Sequence, residues 1–89
     1  MKKTDATLAK RETTYGSFTD NANISQQLKA VIRTGASYDA LSPTQHEVLE
    51  MICTKISRIM GGDPNYADTW HDIAGYAKLA EEELGAERE

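Results

Sequence analysis

Residues 42–62, SPTQHEVLEMICTKISRIMGG, carry their own start and stop signals for a helix. Ser42 stands at an N-cap, Pro43 at the first helical position and Gln45 three residues after the serine. In that pattern, side chain and backbone satisfy each other's orphan amides. Gly61-Gly62 ends the run. At 100° per residue, Gln45, Val48, Leu49, Ile52, Ile56 and Ile59 form one apolar stripe. Lys55 lies on its edge, and Glu47, Met51, Thr54 and Arg58 line the flank beside it. Such a stripe is stable only when other elements cover it, so this stretch sets the expectation for the rest of the chain: helices packed on helices.

Both neighbouring stretches read as helices. Before it, Ile24, Leu28, Val31 and Ile32 recur at helical spacing over Asp20–Thr34, with Thr19 or Asp20 to cap and Gly35 to end the run. Tyr15-Gly16-Ser17-Phe18 reads as a turn holding two aromatics. After it, Tyr66, Trp70, Ile73, Ala77, Ala80 and Leu84 follow a 4-3-4-3-4 spacing in a helix from Pro64, or one turn later, to Leu84. Gly75 inside that helix predicts the close approach of a backbone or ligand. No stretch alternates apolar and polar residues as a half-buried strand would. The fold class expected is all-α: a three-helix unit whose last two helices pair antiparallel across a short Gly-Gly-Asp-Pro connection. Residues 1–12 read as a flexible N-terminal segment, 13–84 as a single helical domain and 85–89 as an acidic frayed tail.

The chain has 89 residues, enough for one small core. A sizeable pocket is therefore expected between subunits of a helical homo-oligomer. Ten Lys+Arg against fourteen Asp+Glu give a net charge of −4. That argues against general nucleic-acid binding, which needs clustered basic charge. The first twelve residues are net basic and the last nine net acidic. Cys53 is the sole cysteine, so no intrachain disulfide or Cys-rich zinc site is expected. No apolar run is long enough to span a membrane and Met1–Lys10 lacks the apolar stretch of a signal peptide, so a cytoplasmic location is expected.

Chemistry is concentrated on the flanks of the last two helices. Asp68 and Asp72 are four residues apart and project from one face, where like charges need an offset. Lys55 and Arg58 across the groove supply one, and a divalent cation with oxygen ligands is another. A salt-bridge network that merely fixes the helix pairing is the plain structural reading of the same residues. Glu47 and Glu50 add two more carboxylates. Lys55 and Arg58 also suit phosphate, arginine through its bidentate fork. His46 and His71 are isolated, and no nucleophilic triad, P-loop or dinucleotide fingerprint is present.

Thr14-Tyr15-Gly16 with Asp20-Asn21, Lys55-Ile56-Ser57-Arg58-Ile59, and Ala67-Asp68-Thr69-Trp70-His71-Asp72-Ile73-Ala74-Gly75-Tyr76 together resemble a family of small phage and prophage proteins of unassigned function. More distantly, the arrangement is similar to the all-α NTP pyrophosphohydrolases of the MazG and dimeric dUTPase type. That resemblance implies a helical oligomer binding magnesium through carboxylates on two helices. Glu47-Val48-Leu49-Glu50 matches the first metal element. The second departs, since Asp68 and Asp72 stand five-residue-inclusive as DxxxD where the family has ExxD.

Three functions fit these residues. The first is a phage-type protein that captures a phosphorylated nucleotide, such as a host immune second messenger, between subunits without turnover and without a required cofactor. Tyr15, Lys55, Arg58, Asp68, Trp70, Asp72 and Tyr76 would line its site. The second is a Mg2+-dependent nucleoside triphosphate pyrophosphohydrolase with metal on Glu47, Glu50, Asp68 and Asp72. The third is a helical module that blocks a host protein.

Overall fold

The computed structural model describes residues 3–85, with side chains from Thr7 onward. Four α-helices follow one another: α1 (Lys3–Tyr15), α2 (Phe18–Ile32), α3 (Pro43–Gly61) and α4 (Ala67–Leu84), with a short 3-10 turn at Tyr38–Ala40. The described residues contain no strand, so the all-α class holds and the count of three helices is corrected to four. The additional helix, α1, occupies residues 3–12 of the stretch expected to be flexible and runs on to Tyr15, while residues 1–2 lie outside the described residues. It has no apolar stripe to announce it, and its last turn is organised by contacts made elsewhere in the chain. Of the expected acidic tail, residues 86–89 lie outside the described residues.

α3 forms as its local signals require. Ser42 Oγ accepts from the Gln45 amide at 3.1 Å, and the Ser42 amide donates to Gln45 Oε1 at 2.9 Å. The chain leaves the helix at Gly62. α2 begins earlier than expected because Ser17, not Thr19 or Asp20, caps it: Ser17 Oγ accepts from the Asp20 amide at 3.1 Å. α4 begins one turn after Pro64. Asp63 holds the preceding turn, its carboxylate accepting from the Asn65 amide at 2.9 Å.

α3 is the central element. α2 packs along one side of it, α4 along another, and α1 rests near its C-terminal end. Ser42, at the start of α3, donates to Glu83 near the end of α4 at 2.6 Å. Lys55, further along α3, reaches Asp72 in the first half of α4. The α2–α3 seam is filled by small polar side chains. Ser57 and Ser25 are buried, Ser25 Oγ and Thr54 Oγ1 lie 3.4 Å apart, and Ser57 Oγ donates back to the Thr54 carbonyl at 2.6 Å. Val48 and Cys53 are the only buried apolar side chains among the described residues. Burial pushes the Cys53 thiol above its ordinary pKa, which keeps it protonated at neutral pH.

The α1–α2 turn docks on the end of α3 backbone to backbone. Gly16 has φ +84°, and a Cβ there would come within 2.5 Å of the Gly61 carbonyl. A Cβ on Gly62 would strike the Thr14 carbonyl oxygen. The Asp63 amide donates to the Thr14 carbonyl at 2.8 Å, and Asn21 Nδ2 donates to the Tyr15 carbonyl. Asn21 Oδ1 is buried without a conventional partner and faces the Cα of Gly61.

Candidate functional site

Two groups of the expected site residues come together, and they do so separately. In the first, Lys55 Nζ meets Asp72 Oδ2 at 3.0 Å. The lysine side chain is 13% exposed and the aspartate 44%, so the pair spans α3 and α4 with its acidic end in solvent. Asp72 and Tyr76 border a shallow depression with His71, Gly75 and Leu79. A Cβ on Gly75 would meet nothing within 4 Å, so the close approach predicted there is absent among the described residues.

The second group is gathered by the glycine-mediated docking of the α1–α2 turn. That docking sets Tyr15 beside the last turn of α3. The Arg58 guanidinium lies 4.9 Å from the Tyr15 ring centroid and the Arg11 guanidinium 5.1 Å, both in cation–π range. Tyr66 meets Tyr15 edge to face at 5.7 Å. The Asp68 carboxylate, followed by the Tyr15 hydroxyl, raises the Tyr66 pKa above its ordinary value. The chain thus links Arg11, Arg58, Tyr15, Tyr66 and Asp68.

Trp70 joins neither group. Its Nε1 donates to the Pro64 carbonyl at 2.8 Å, and its ring is half exposed. The four carboxylates do not converge either. Glu47 borders the Tyr76–Leu79 side of α3, whereas Glu50 borders a crevice with Lys29, Tyr38 and His46 against α2. Asp72 is paired with Lys55 and Asp68 sits beside Tyr66. Among the described residues, no three His, Cys, Asp or Glu side chains lie close enough to hold a metal ion. The ExxE spacing places two carboxylates on one helix, but α2 and α4 lie on different sides of that helix.

A cleft of about 340 Å3 opens beside the Arg58–Tyr15 stack, lined also by Leu8, Arg11, Phe18 and Asn21. It adjoins a second of about 170 Å3 that shares Phe18, Asn21 and Arg58 and adds Lys29. Three cations therefore border one continuous surface, and Glu12 is the only acid among the lining residues. Phe18, at the first position of α2, is 85% exposed. The faces of the Tyr15 ring are engaged by guanidinium groups of its own chain, so Phe18 is the open aromatic surface. Arg11, Lys29, Phe18 and Asn21 are absent from the set expected from sequence. Their signals were an arginine in the net-basic leading segment, a lysine on a helix flank and an aromatic–asparagine pair around a turn. None of them points to a site until α1 is known to be a helix.

A family model described as a domain of unknown function (DUF6378) matches residues 1–84. The chain belongs to this family. The match spans all four helices, α1 included, and thus both residue groups. No curated protein and no solved structure matches the chain.

Proposed function

We propose that this DUF6378 chain captures a phosphorylated nucleotide in the cleft between α1, α2 and α3 and releases it unchanged. The observation that carries the reading is the convergence of Arg11, Lys29 and Arg58 beside an exposed Phe18, in a chain whose net charge is −4. Guanidinium and ammonium groups suit phosphate oxygens, and an open ring suits a base. From the residues expected at the site, Arg58 contacts the anion and Tyr15 positions it. Lys55 and Asp72 neutralise each other and hold the helix pair. In this reading the pocket lies at the α1–α2 turn and not between subunits, because Arg11, Lys29 and Arg58 converge there. The ligand class is a nucleotide of the kind a phage-encoded protein would remove from the cytoplasm: a cyclic nucleotide or an ADP-ribose derivative of host signalling. Magnesium-dependent hydrolysis has no comparable support, because its carboxylates stand on different sides of α3.

The test is retention. Purified protein is incubated with nucleoside triphosphates, cyclic nucleotides and ADP-ribose derivatives plus magnesium, then filtered and heated, and both fractions are read by mass spectrometry. An intact nucleotide released by heat, with retention falling at least tenfold in Arg58→Ala, is the expected result. Nothing retained overturns the reading. Monophosphate and pyrophosphate accumulating in the filtrate overturn the absence of turnover.

A further inference from the structure

The chain leaves more surface uncovered than a folded monomer of its mass. Its surface is 6552 Å2, against about 5,160 Å2 for a compact 9.8 kDa protein, an excess of about 1,400 Å2. Its radius of gyration is 15.5 Å, where about 12 Å is usual for 89 residues. Projection of α1 supplies part of this. The rest follows from the arrangement of α2, α3 and α4: α3 lies between the other two, forming a single layer of helices. One layer has two faces, and a core needs a second layer.

Both faces of the layer are uncovered, Phe18 and Leu79 being exposed on the cleft side, and helical periodicity shows which face gathers apolar side chains from all three helices. On α2, Ala22 and Gln26 border the cationic cleft, as Thr54 and Arg58 do on α3. On α4, Asp72, Gly75 and Leu79 border the depression on that same side of the layer. At 100° per residue, Leu28 and Val31 of α2, Ile56 and Met60 of α3, and Trp70 and Ala77 of α4 point to the opposite side. Val31 and Met60 are each 68% exposed and Trp70 is 54% exposed. All three helices thus present apolar side chains to the same side.

We propose that this face is the interface with a second copy of the same chain, the two layers stacking with their cationic clefts outward. The excess of about 1,400 Å2 is an upper bound on what a second layer would cover, since α1 contributes to it, and a standard interface needs roughly 800 Å2 per partner. An apolar face of this kind is complementary to itself, as a two-fold contact requires. The assignment does not rest on the nucleotide reading, and its test uses no nucleotide.

Trp70 is the single tryptophan and therefore a built-in reporter. Sedimentation equilibrium of the full chain at micromolar concentration should return at least twice the 9.8 kDa chain mass. Trp70 emission should be blue-shifted in the assembled protein and move to the red on dilution. Val31→Glu, at a position exposed in the single chain, should weaken association at least tenfold. A monomer at micromolar concentration overturns the proposal. So does an assembled protein whose Trp70 emits as in water, a result that needs no variant to fold. A Val31→Glu protein that keeps both its helical circular dichroism and the wild-type mass overturns it as well.

Discussion

α3 is held at its C-terminal end and along its flank by two unlike contacts. At the end, the α1–α2 turn lies backbone against backbone, with Gly16, Gly61 and Gly62 leaving no room for a Cβ. Along the flank, α4 meets α3 through side chains: buried Val48 and Thr69, and the Lys55–Asp72 and Ser42–Glu83 pairs. Backbone contact is unforgiving because neither partner has a rotamer to change. Side-chain contact can rearrange, and where it reaches solvent, water replaces what a mutation removes. The first contact also builds the candidate site, since it places Tyr15 and Arg11 against Arg58.

The sharpest way to break this comparison is Gly16→Ala. It adds a Cβ within 2.5 Å of the Gly61 backbone at a φ of +84°. Overpacking and left-handed strain together should cost about 3 kcal/mol, read as a fall in urea-unfolding midpoint. The Arg58–Tyr15 stack should loosen with it. A cost under about 1 kcal/mol would mean that the docking is soft and the comparison fails. Gly75→Ala probes the other region with the opposite sign. Its Cβ enters open space in the middle of α4, so helix propensity alone predicts stabilisation by about 1 kcal/mol. Thermal denaturation would show this as a rise of roughly 4–8 °C. Destabilisation would place a second backbone at Gly75. The smallest effect expected is that of Lys55→Met. With Asp72 44% exposed, loss of the pair should cost about 0.5 kcal/mol. High salt should erase most of the difference from wild type. A loss above about 2 kcal/mol would show that the pair is effectively buried and that the flank is as rigid as the turn.

Legibility in the sequence follows the range of the interactions. The boundaries of α3 were readable because Ser42, Pro43 and Gln45 at one end and Gly62 at the other each act on the helical turn beside them. α4 was readable from its seam and α2 from Ile24, Leu28 and Ile32, with its start misplaced because Ser17 competed with two other good caps. α1 left no signature: Leu8 is its lone large aliphatic residue before Thr13, and what fixes its end is Thr14 and Tyr15 bonding to Asp63 and Asn21. The candidate site was half legible for the same reason. Lys55 with Asp72 could be paired from two helical registers. Arg58 with Tyr15, Arg11 and Phe18 required the α1–α2 turn to dock first.

Sequence alone determined that the chain is helical, where its central helix begins and ends, and which residues bear the charge. Those outcomes depend on capping, periodicity and composition, all of which act locally. Tertiary structure decided that the four carboxylates stand apart, that the cations gather beside Phe18, and that Gly16 and Gly62 lie against backbone where Gly75 faces open space. Those outcomes depend on which side of α3 each neighbouring helix occupies and on how closely two backbones approach, and neither distance is encoded in any single stretch of the chain.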